Sequence, residues 1–443
     1  MASNIRLTGL ARDLAKRASD GKPVRIGLIG AGEMGTDIVT RAAMMDGVDV
    51  AAISEINPGA AQTAVEIARQ GPGHSAEAAT SDEVTAVIES GKTAITDNAD
   101  SVLTSGLIDV VIDATGVPAV GAEIGLAAME QGKHLVMMNV EADVPIGAYL
   151  RREAERLGVV YSLGAGDEPS SCMELIEFVS AMGHKIVCAG KGKNNPLNID
   201  ATPDAYAEEA ARRNMNPRLL VEFVDGSKTM VEMCAIGNAT GLIPDCDGMH
   251  GPAAGRDELA TTLIPERDGG VLSDIGRVDY TIGKGVAPGV FVVAHAEHPR
   301  VHERMSDLKM GDGPYFTFLR PYHLTSLEVP LTCARAVLYG KADMIPLEKP
   351  VAEVCAVAKR DLAPGETLDQ IGEYTYRAWA MEAGRARSRQ AHPAGLLTGA
   401  KVTAPVAKGE LITAANCALP DAPIGRLRQR QDEMVFGRDT VDA

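Results

Sequence analysis

A chain of 443 residues, 45% hydrophobic and 23% charged, is long enough for two or three domains with real cores, and large-scale disorder is not expected. With 60 acidic against 43 basic residues the formal charge is −17, which argues against nucleic acid or an anionic membrane as partner, because both would repel it unless basic residues were segregated. The densest basic stretch, Arg426-Leu427-Arg428-Gln429-Arg430, is short and closely followed by Asp432 and Glu433, so it reads as a solvated helix face.

In chain order, Met1 to Asp20 places Arg6, Arg12, Lys16 and Arg17 beside Ile5, Leu7, Leu10, Ala11 and Leu14, an amphipathic helix without the continuous apolar core of a signal peptide. No run approaches the roughly twenty apolar residues of a membrane span. Next comes Val24-Arg25-Ile26-Gly27-Leu28-Ile29-Gly30-Ala31-Gly32-Glu33-Met34-Gly35, a strand that runs into glycines at dinucleotide-binding spacing and then into a helix (Thr36 to Met45). Gly30 permits the tight turn, Gly32 leaves room for a pyrophosphate, and Gly35 lets the helix pack on the sheet; the helix start, with Glu33 and Met34, offers free N–H groups to phosphate. The second strand, Val48 to Ser54, is followed by Glu55, about twenty residues past the last glycine, where an acid would accept the ribose hydroxyls and favour NAD over NADP.

Helices near Ala60 to Arg69 and Asp82 to Ser90 lead to a short strand at Thr93 to Asp97. Ile108 to Asp113 is then a buried parallel strand that ends in Ala114-Thr115-Gly116-Val117-Pro118. Asp113, Thr115, Gly116 and Pro118 are candidates to line the nicotinamide side, because ligands of doubly wound sheets sit at the carboxyl ends of strands. A helix (Ala119 to Glu130) and the strand His134 to Met138 end in a loop with Asn139, Glu141 and Asp143. A further helix (Ile146 to Leu157) and the strand Val159 to Leu163 end in Gly164-Ala165-Gly166-Asp167-Glu168-Pro169. Glu141, Asp167 and Glu168 could hold a divalent cation, Mg²⁺ or Mn²⁺ given oxygen-only donors, or move protons. Equally, Asp167 or Glu168 could cap the helix that starts near Pro169, and Asp143 reads as structural.

Around residue 185 the pattern turns α+β. The strand Lys185 to Gly190 opens into a loop with Lys191, Lys193, Asn194 and Asn195, in which the spacing of two puts both ammonium groups on one side, suited to an anionic substrate or to charge developing on a carbonyl oxygen. Further strands are expected near Leu220 to Phe223, Val278 to Ile282 and Val290 to Ala294. Gly313 to Ser326 concentrates aromatic residues around Arg320, whose planar fork suits a phosphate or carboxylate, and His323, which could transfer a proton; an incidental core strand would look the same. Thr325 to Tyr339 reads as a helix able to return to the first domain. Beyond Lys349, Ala358 to Leu368 echoes Ala404 to Ile412, each with a basic turn holding Gly-Glu, which suggests a small β-rich unit of two similar hairpins. Cys172, Cys188, Cys234, Cys246, Cys333, Cys355 and Cys417 form no CxxC or Cys/His metal spacing and read as reduced packing residues of a cytoplasmic protein.

The strings Arg6-Leu7-Thr8-Gly9-Leu10, Gly30 to Gly35, Met138 to Asp143, Gly164 to Ser171, Gly190 to Pro196 and Arg320-Pro321-Tyr322-His323 resemble homoserine-dehydrogenase-like oxidoreductases with a C-terminal SAF domain. Within that group they resemble the 1-deoxy-D-xylulose 5-phosphate reductoisomerase-like proteins. The resemblance implies an α/β chain with three parts: an N-terminal Rossmann doubly wound parallel sheet (residues 1–165), an α+β substrate or catalytic domain (166–345), and a β-rich SAF-like domain (346–443). It also implies that Glu141, Asp167, Glu168, Lys191, Lys193 and Asn194 face the substrate, with Arg320 and His323 near its anionic end.

The implied reaction is the isoprenoid-pathway rearrangement of a ketose phosphate, assisted by a metal, before reduction by NADPH, in a homo-oligomer. Two residues depart from the resemblance. Homoserine dehydrogenases carry a lysine where this chain has Val140, and Glu55 with no following arginine suits NAD rather than NADPH. The expectations are therefore an NAD(P)H-dependent reductoisomerase; alternatively, an NAD-linked dehydrogenase of a sugar acid, polyol or hydroxy acid; and, from another class, a coenzyme-binding sensor without turnover.

Overall fold

The computed structural model describes residues 6–437. Seven strands, β1 (Val24–Ile29), β2 (Val48–Ser54), β3 (Ser75–Glu77), β4 (Thr93–Thr96), β5 (Val110–Asp113), β6 (His134–Met137) and β7 (Tyr161–Leu163), form one sheet in the order β3-β4-β2-β1-β5-β6-β7. Every pairing in it is parallel. Alternate residues of β1 face opposite layers. Val24, Ile26 and Leu28 pack with Ile38, Val39 and Ala42 of the helix Glu33–Ala43, whereas Ile29 joins Val84 and Ile88 of the helix Ser81–Glu89. Helices thus cover both faces, which is the doubly wound α/β layering expected for buried parallel strands. The helix Val329–Tyr339 contributes Val329, Cys333 and Ala334 to the same core as β1.

A second, mixed sheet holds β8 (Lys185–Gly192), β9 (Ile243–Pro244), β10 (Arg277–Thr281), β11 (Val290–His295) and β12 (Tyr315–Arg320) in the order β12-β11-β8-β10-β9. β10 runs parallel to β8 and β9, and β11 runs antiparallel to β8 and β12. The helices Glu168–Ala181 and Ser227–Thr240 pack against this sheet. Near the C-terminus, β13 (Ala352–Ala358) pairs antiparallel with β14 (Tyr376–Glu382), and β15 (Lys401–Val402) with β16 (Cys417–Ala418). The internal echo is visible as two matching turns. Glu366 accepts the Ala363 N–H at 2.7 Å and Glu410 the Ala407 N–H at 2.8 Å, with Gly365 and Gly409 at φ +92° and +82°.

The chain divides into two compact units. The first takes the chain up to Asp143, Leu150–Asp167 and Leu324–Ile345; the second takes Val144–Tyr149, Glu168–His323 and the chain from Pro346 on. No helix among the described residues is long and apolar enough to cross a membrane.

Three local expectations are overturned. Leu220 to Phe223 is not a strand but part of the helix Pro217–Val224: Pro217 takes the first helical position, Asn216 accepts the Arg218 N–H at 2.9 Å, and Arg218 pairs with Glu222 one turn on. Glu141 and Asp143 are not in a strand-end loop, because the helix Val140–Leu157 starts directly after Asn139 and carries both in its first turn. Lys191 belongs to β8 itself, since that strand runs on to Gly192 with Lys191 paired to Tyr280 and Val290.

Candidate active site

In the first unit the Gly-rich turn is shaped by backbone contacts. Gly30 has φ +98°, and a Cβ there would lie 2.7 Å from the Ala114 carbonyl oxygen, just past the ends of β1 and β5, where Ile29 and Asp113 are register partners. A Cβ on Gly35 would lie 2.4 Å from the Gly30 carbonyl oxygen, whereas one on Gly32 would meet nothing within 4 Å. Two of the glycines are therefore needed by the fold, and the third leaves open space at the start of the helix Glu33–Ala43. Glu33 and Met34 are exposed on its first turn. The strand order reverses at β1 and β5, the switch point at which doubly wound sheets take ligands.

Glu55 reaches this turn. Its Oε2 accepts the Ala31 N–H at 2.7 Å and its Oε1 the Asn57 N–H at 3.1 Å, while the buried Ser54 accepts the Gly30 N–H at 2.9 Å through its carbonyl. On the β5 side, Asp113 Oδ1 accepts both the N–H and the hydroxyl of Thr115, at 3.1 and 2.7 Å. Burial raises the Asp113 carboxyl above the usual carboxylate range, against hydrogen bonds from Thr115 and Asn139. Gly116 follows at φ +65°. Asp143 is structural: it is buried, it accepts the Tyr161 hydroxyl at 2.5 Å, and burial pushes it up to about 6.

In the second unit, segments distant in sequence build a buried charge cluster. Lys191 Nζ donates to Glu168 Oε1 at 2.6 Å and to Glu232 Oε2; the three side chains are 6%, 13% and 1% exposed. Burial alone would lower the Lys191 ammonium, but two carboxylates outweigh it and hold the group above the usual lysine range. His323 Nε2 lies 3.5 Å from the same Glu168 oxygen. Lys193 Nζ donates to the carbonyls of Asn195 and Phe223 at 2.6 and 2.7 Å, and burial together with the positive charge of Lys191 pushes it down to about 8.

An ammonium has three N–H donors, and Glu168 and Glu232 take two of those on Lys191, which leaves one for a substrate oxygen. Glu232 went unseen in the sequence, although a lone acid within Met230-Val231-Glu232-Met233-Cys234-Ala235-Ile236 was a usable signal.

The other candidates are placed differently. Asn194 is exposed in the loop after β8. Arg320 ends β12, pairs through Nη1 with Glu174 at 2.9 Å and stacks 5.0 Å from the Tyr322 ring centroid. Glu141 lies in the first turn of the helix Val140–Leu157, whereas Asp167 stands with Glu168 and His323, one donor atom from each of the three lying within 4.8 Å of the others.

Comparison with known proteins agrees with this division. Residues 30–163 match the NAD-binding domain of homoserine dehydrogenase, and residues 166–329 match the catalytic domain of oxidoreductase DRL. The chain is an NAD(P)-dependent oxidoreductase. No curated protein matches it. Among solved structures it is remotely similar to a probable dehydrogenase from Thermotoga maritima (14% identity, 72% of this chain and 90% of that one, TM-score 0.41). It is likewise remotely similar to scyllo-inositol dehydrogenase from Lactobacillus casei with bound NAD(H) and scyllo-inositol (14%, 62% and 74%, 0.35). A putative myo-inositol dehydrogenase from Sinorhizobium meliloti is similar at the same level (13%, 72% and 90%, 0.38).

Proposed function

We propose that this protein is an NAD-linked dehydrogenase that interconverts a hydroxyl and a carbonyl group on a small anionic sugar acid, polyol or hydroxy acid. The observation that carries the reading is Lys191, held charged between two buried carboxylates. A permanently charged donor of that kind stabilises negative charge on a substrate oxygen in either direction of the reaction. Lys193, brought down to about 8, is suited to take up and return the hydroxyl proton. Glu168 and Glu232 fix the position of Lys191, and His323 supports Glu168.

The coenzyme would be held by the open space at Gly32, the N–H groups of the following helix and the Glu55 carboxylate, which would accept ribose hydroxyls and repel a 2′-phosphate. When bound, it supplies the hydride acceptor or donor.

A second reading, the metal-assisted reductoisomerase, is favoured by the convergence of Asp167, Glu168 and His323, whose donor atoms lie within 4.8 Å of one another and are of the kind a divalent ion takes. The fit is poor. The carboxylate oxygen nearest His323 is the one already bonded to Lys191, so a cation there would meet an ammonium.

The deciding experiment is an initial-rate screen of hydroxy acids, polyols and sugar acids with NAD and NADP, in EDTA and in Mg²⁺, with 1-deoxy-D-xylulose 5-phosphate and NADPH included. NAD-linked turnover that survives EDTA is expected; strict dependence on a metal and a phosphorylated ketose would replace this reading with the second.

A further inference from the structure

We propose that Arg377 of β14 forms a subsite for the anionic end, a carboxylate or a phosphate monoester, of the substrate whose reacting hydroxyl is at Lys193. The inference rests on the placement of the substrate at Lys191 and Lys193, and it gives the C-terminal hairpin a part in recognition.

Two routes of contact connect Arg377 to the charge cluster. Along the first, its guanidinium lies 4.6 Å from the Trp379 ring centroid. That ring covers Gly248 so closely that a Cβ there would lie 2.2 to 2.5 Å from three of its atoms. Gly251, three residues on, is packed on the Tyr280 phenol in the same way, at 2.3 to 2.8 Å. Tyr280 is the register partner of Lys191 on the parallel strands β10 and β8, and such partners send side chains to one face. Along the second route, the Ala378 N–H donates to Ser227 Oγ at 2.9 Å and the Ser227 N–H to Asp225 Oδ1 at 2.8 Å. Two residues before Asp225, the Phe223 carbonyl accepts from Lys193.

Charge accounting singles out the same residue. The carboxylates within electrostatic reach of Arg377 are Asp225 and Asp200, and each already has a lysine: Lys359 at 2.7 Å from Asp225 and Lys408 at 2.9 Å from Asp200. Among the described residues Arg377 has no carboxylate in hydrogen-bonding contact, whereas Arg320, the arginine that stands out in the sequence, is paired with Glu174. A half-buried guanidinium is costly to desolvate without an anion, and burial does lower its pKa here. Stacking on an indole meets part of that cost and leaves the planar fork able to bind an oxyanion in bidentate fashion. In a chain of net charge −17, a guanidinium left without a carboxylate of its own marks where an anion is accepted.

The test uses the full chain and inorganic phosphate or acetate as probes, titrated calorimetrically at constant ionic strength against wild type, Arg377→Gln and Arg377→Lys. NADH affinity, read by fluorescence, serves as the control for folding of the first unit. Wild type should bind one anion, phosphate if the substrate end is a phosphate monoester and acetate if it is a carboxylate. Arg377→Gln should bind it roughly 10- to 100-fold more weakly, and Arg377→Lys, which keeps the charge but loses the fork, roughly 3- to 10-fold more weakly, all with unchanged NADH affinity. Equal anion affinity in wild type and Arg377→Gln, or no binding of either anion by wild type, overturns the proposal. Should Arg377→Gln fail to melt cooperatively, Arg377→Lys decides, and wild-type affinity there overturns it. Because these measurements need no turnover, a dehydrogenase screen without hits would remove the proposed activity and leave the anion site standing.

Discussion

The two halves of the chemistry are built from different materials. The proposed coenzyme cradle of the first unit is made of backbone: a positive-φ glycine, a second glycine pressed on a carbonyl, and a third that faces open space. The charge cluster of the second unit is made of side chains from three separate segments, Glu168, Lys191 and Glu232, each costly to bury without the others. A backbone site tolerates most side-chain changes and fails when a Cβ appears; a buried ionic site fails when any one charge goes.

The sharpest way to break this contrast is Lys191→Met, which leaves two carboxylates buried without a counter-charge. It should abolish measurable turnover and cost about 3–5 kcal/mol of stability, read by chemical denaturation. Wild-type stability would mean that the acids are not held by this lysine. Second in size is the paired test Gly32→Val against Gly35→Val. The first should melt like wild type yet bind coenzyme at least about tenfold more weakly, and the second should lose stability as well, because its Cβ meets a carbonyl at 2.4 Å. Equal melting temperatures for the two variants would contradict the division of labour among the glycines.

Glu232→Gln keeps the shape and removes one charge; kcat should fall about 10- to 100-fold with coenzyme affinity unchanged in a fluorescence titration. Smaller again is Glu55→Ala, which should weaken NAD about tenfold and NADP less, and equal losses would remove the argument for NAD. The finest effect is in pH. Lys193 must be neutral to take the proton in oxidation and charged to give it back in reduction, so kcat/KM rises through about pH 8 in the oxidising direction and falls through it in the reducing one, and Lys193→Arg, which does not release its proton, removes both limbs with most of the turnover. A limb that stays in place belongs to another group.

The same contrast explains what could be read in advance. A backbone turn is written in a dozen consecutive residues, so the strand, the Gly30 to Gly35 turn and the helix after it were legible, and Glu55 was legible as the acid that follows β2. Lys191 was legible as a residue type at a strand end, but its partners stand 23 and 41 residues away, and nothing local announces a pairing that only the sheet and two helices create. Arg320 stood out for its aromatic surroundings and yet found Glu174, 146 residues earlier. Leu220 to Phe223 was misread because a short apolar run has no period of its own; the start signal was Asn216-Pro217 just before it. The helix Val140–Leu157 is expected only from Ile146 and starts six residues earlier; Pro145 lies inside it, where its ring has no N–H to donate to the preceding turn, and the fold tolerates that interruption.

The helix Val329–Tyr339 has a consequence for how this molecule comes into being. Its Val329, Cys333 and Ala334 complete a core begun by residues near position 24, so about three hundred residues must be synthesised before that face of the sheet is sealed. During synthesis the nascent sheet therefore waits with an apolar strip uncovered, a natural target for chaperones. A gene cut after Asp167 would encode a first unit that lacks its own closing piece, so the two units are not interchangeable cassettes, and recombination between relatives must carry the 324–345 segment along with the amino-terminal half.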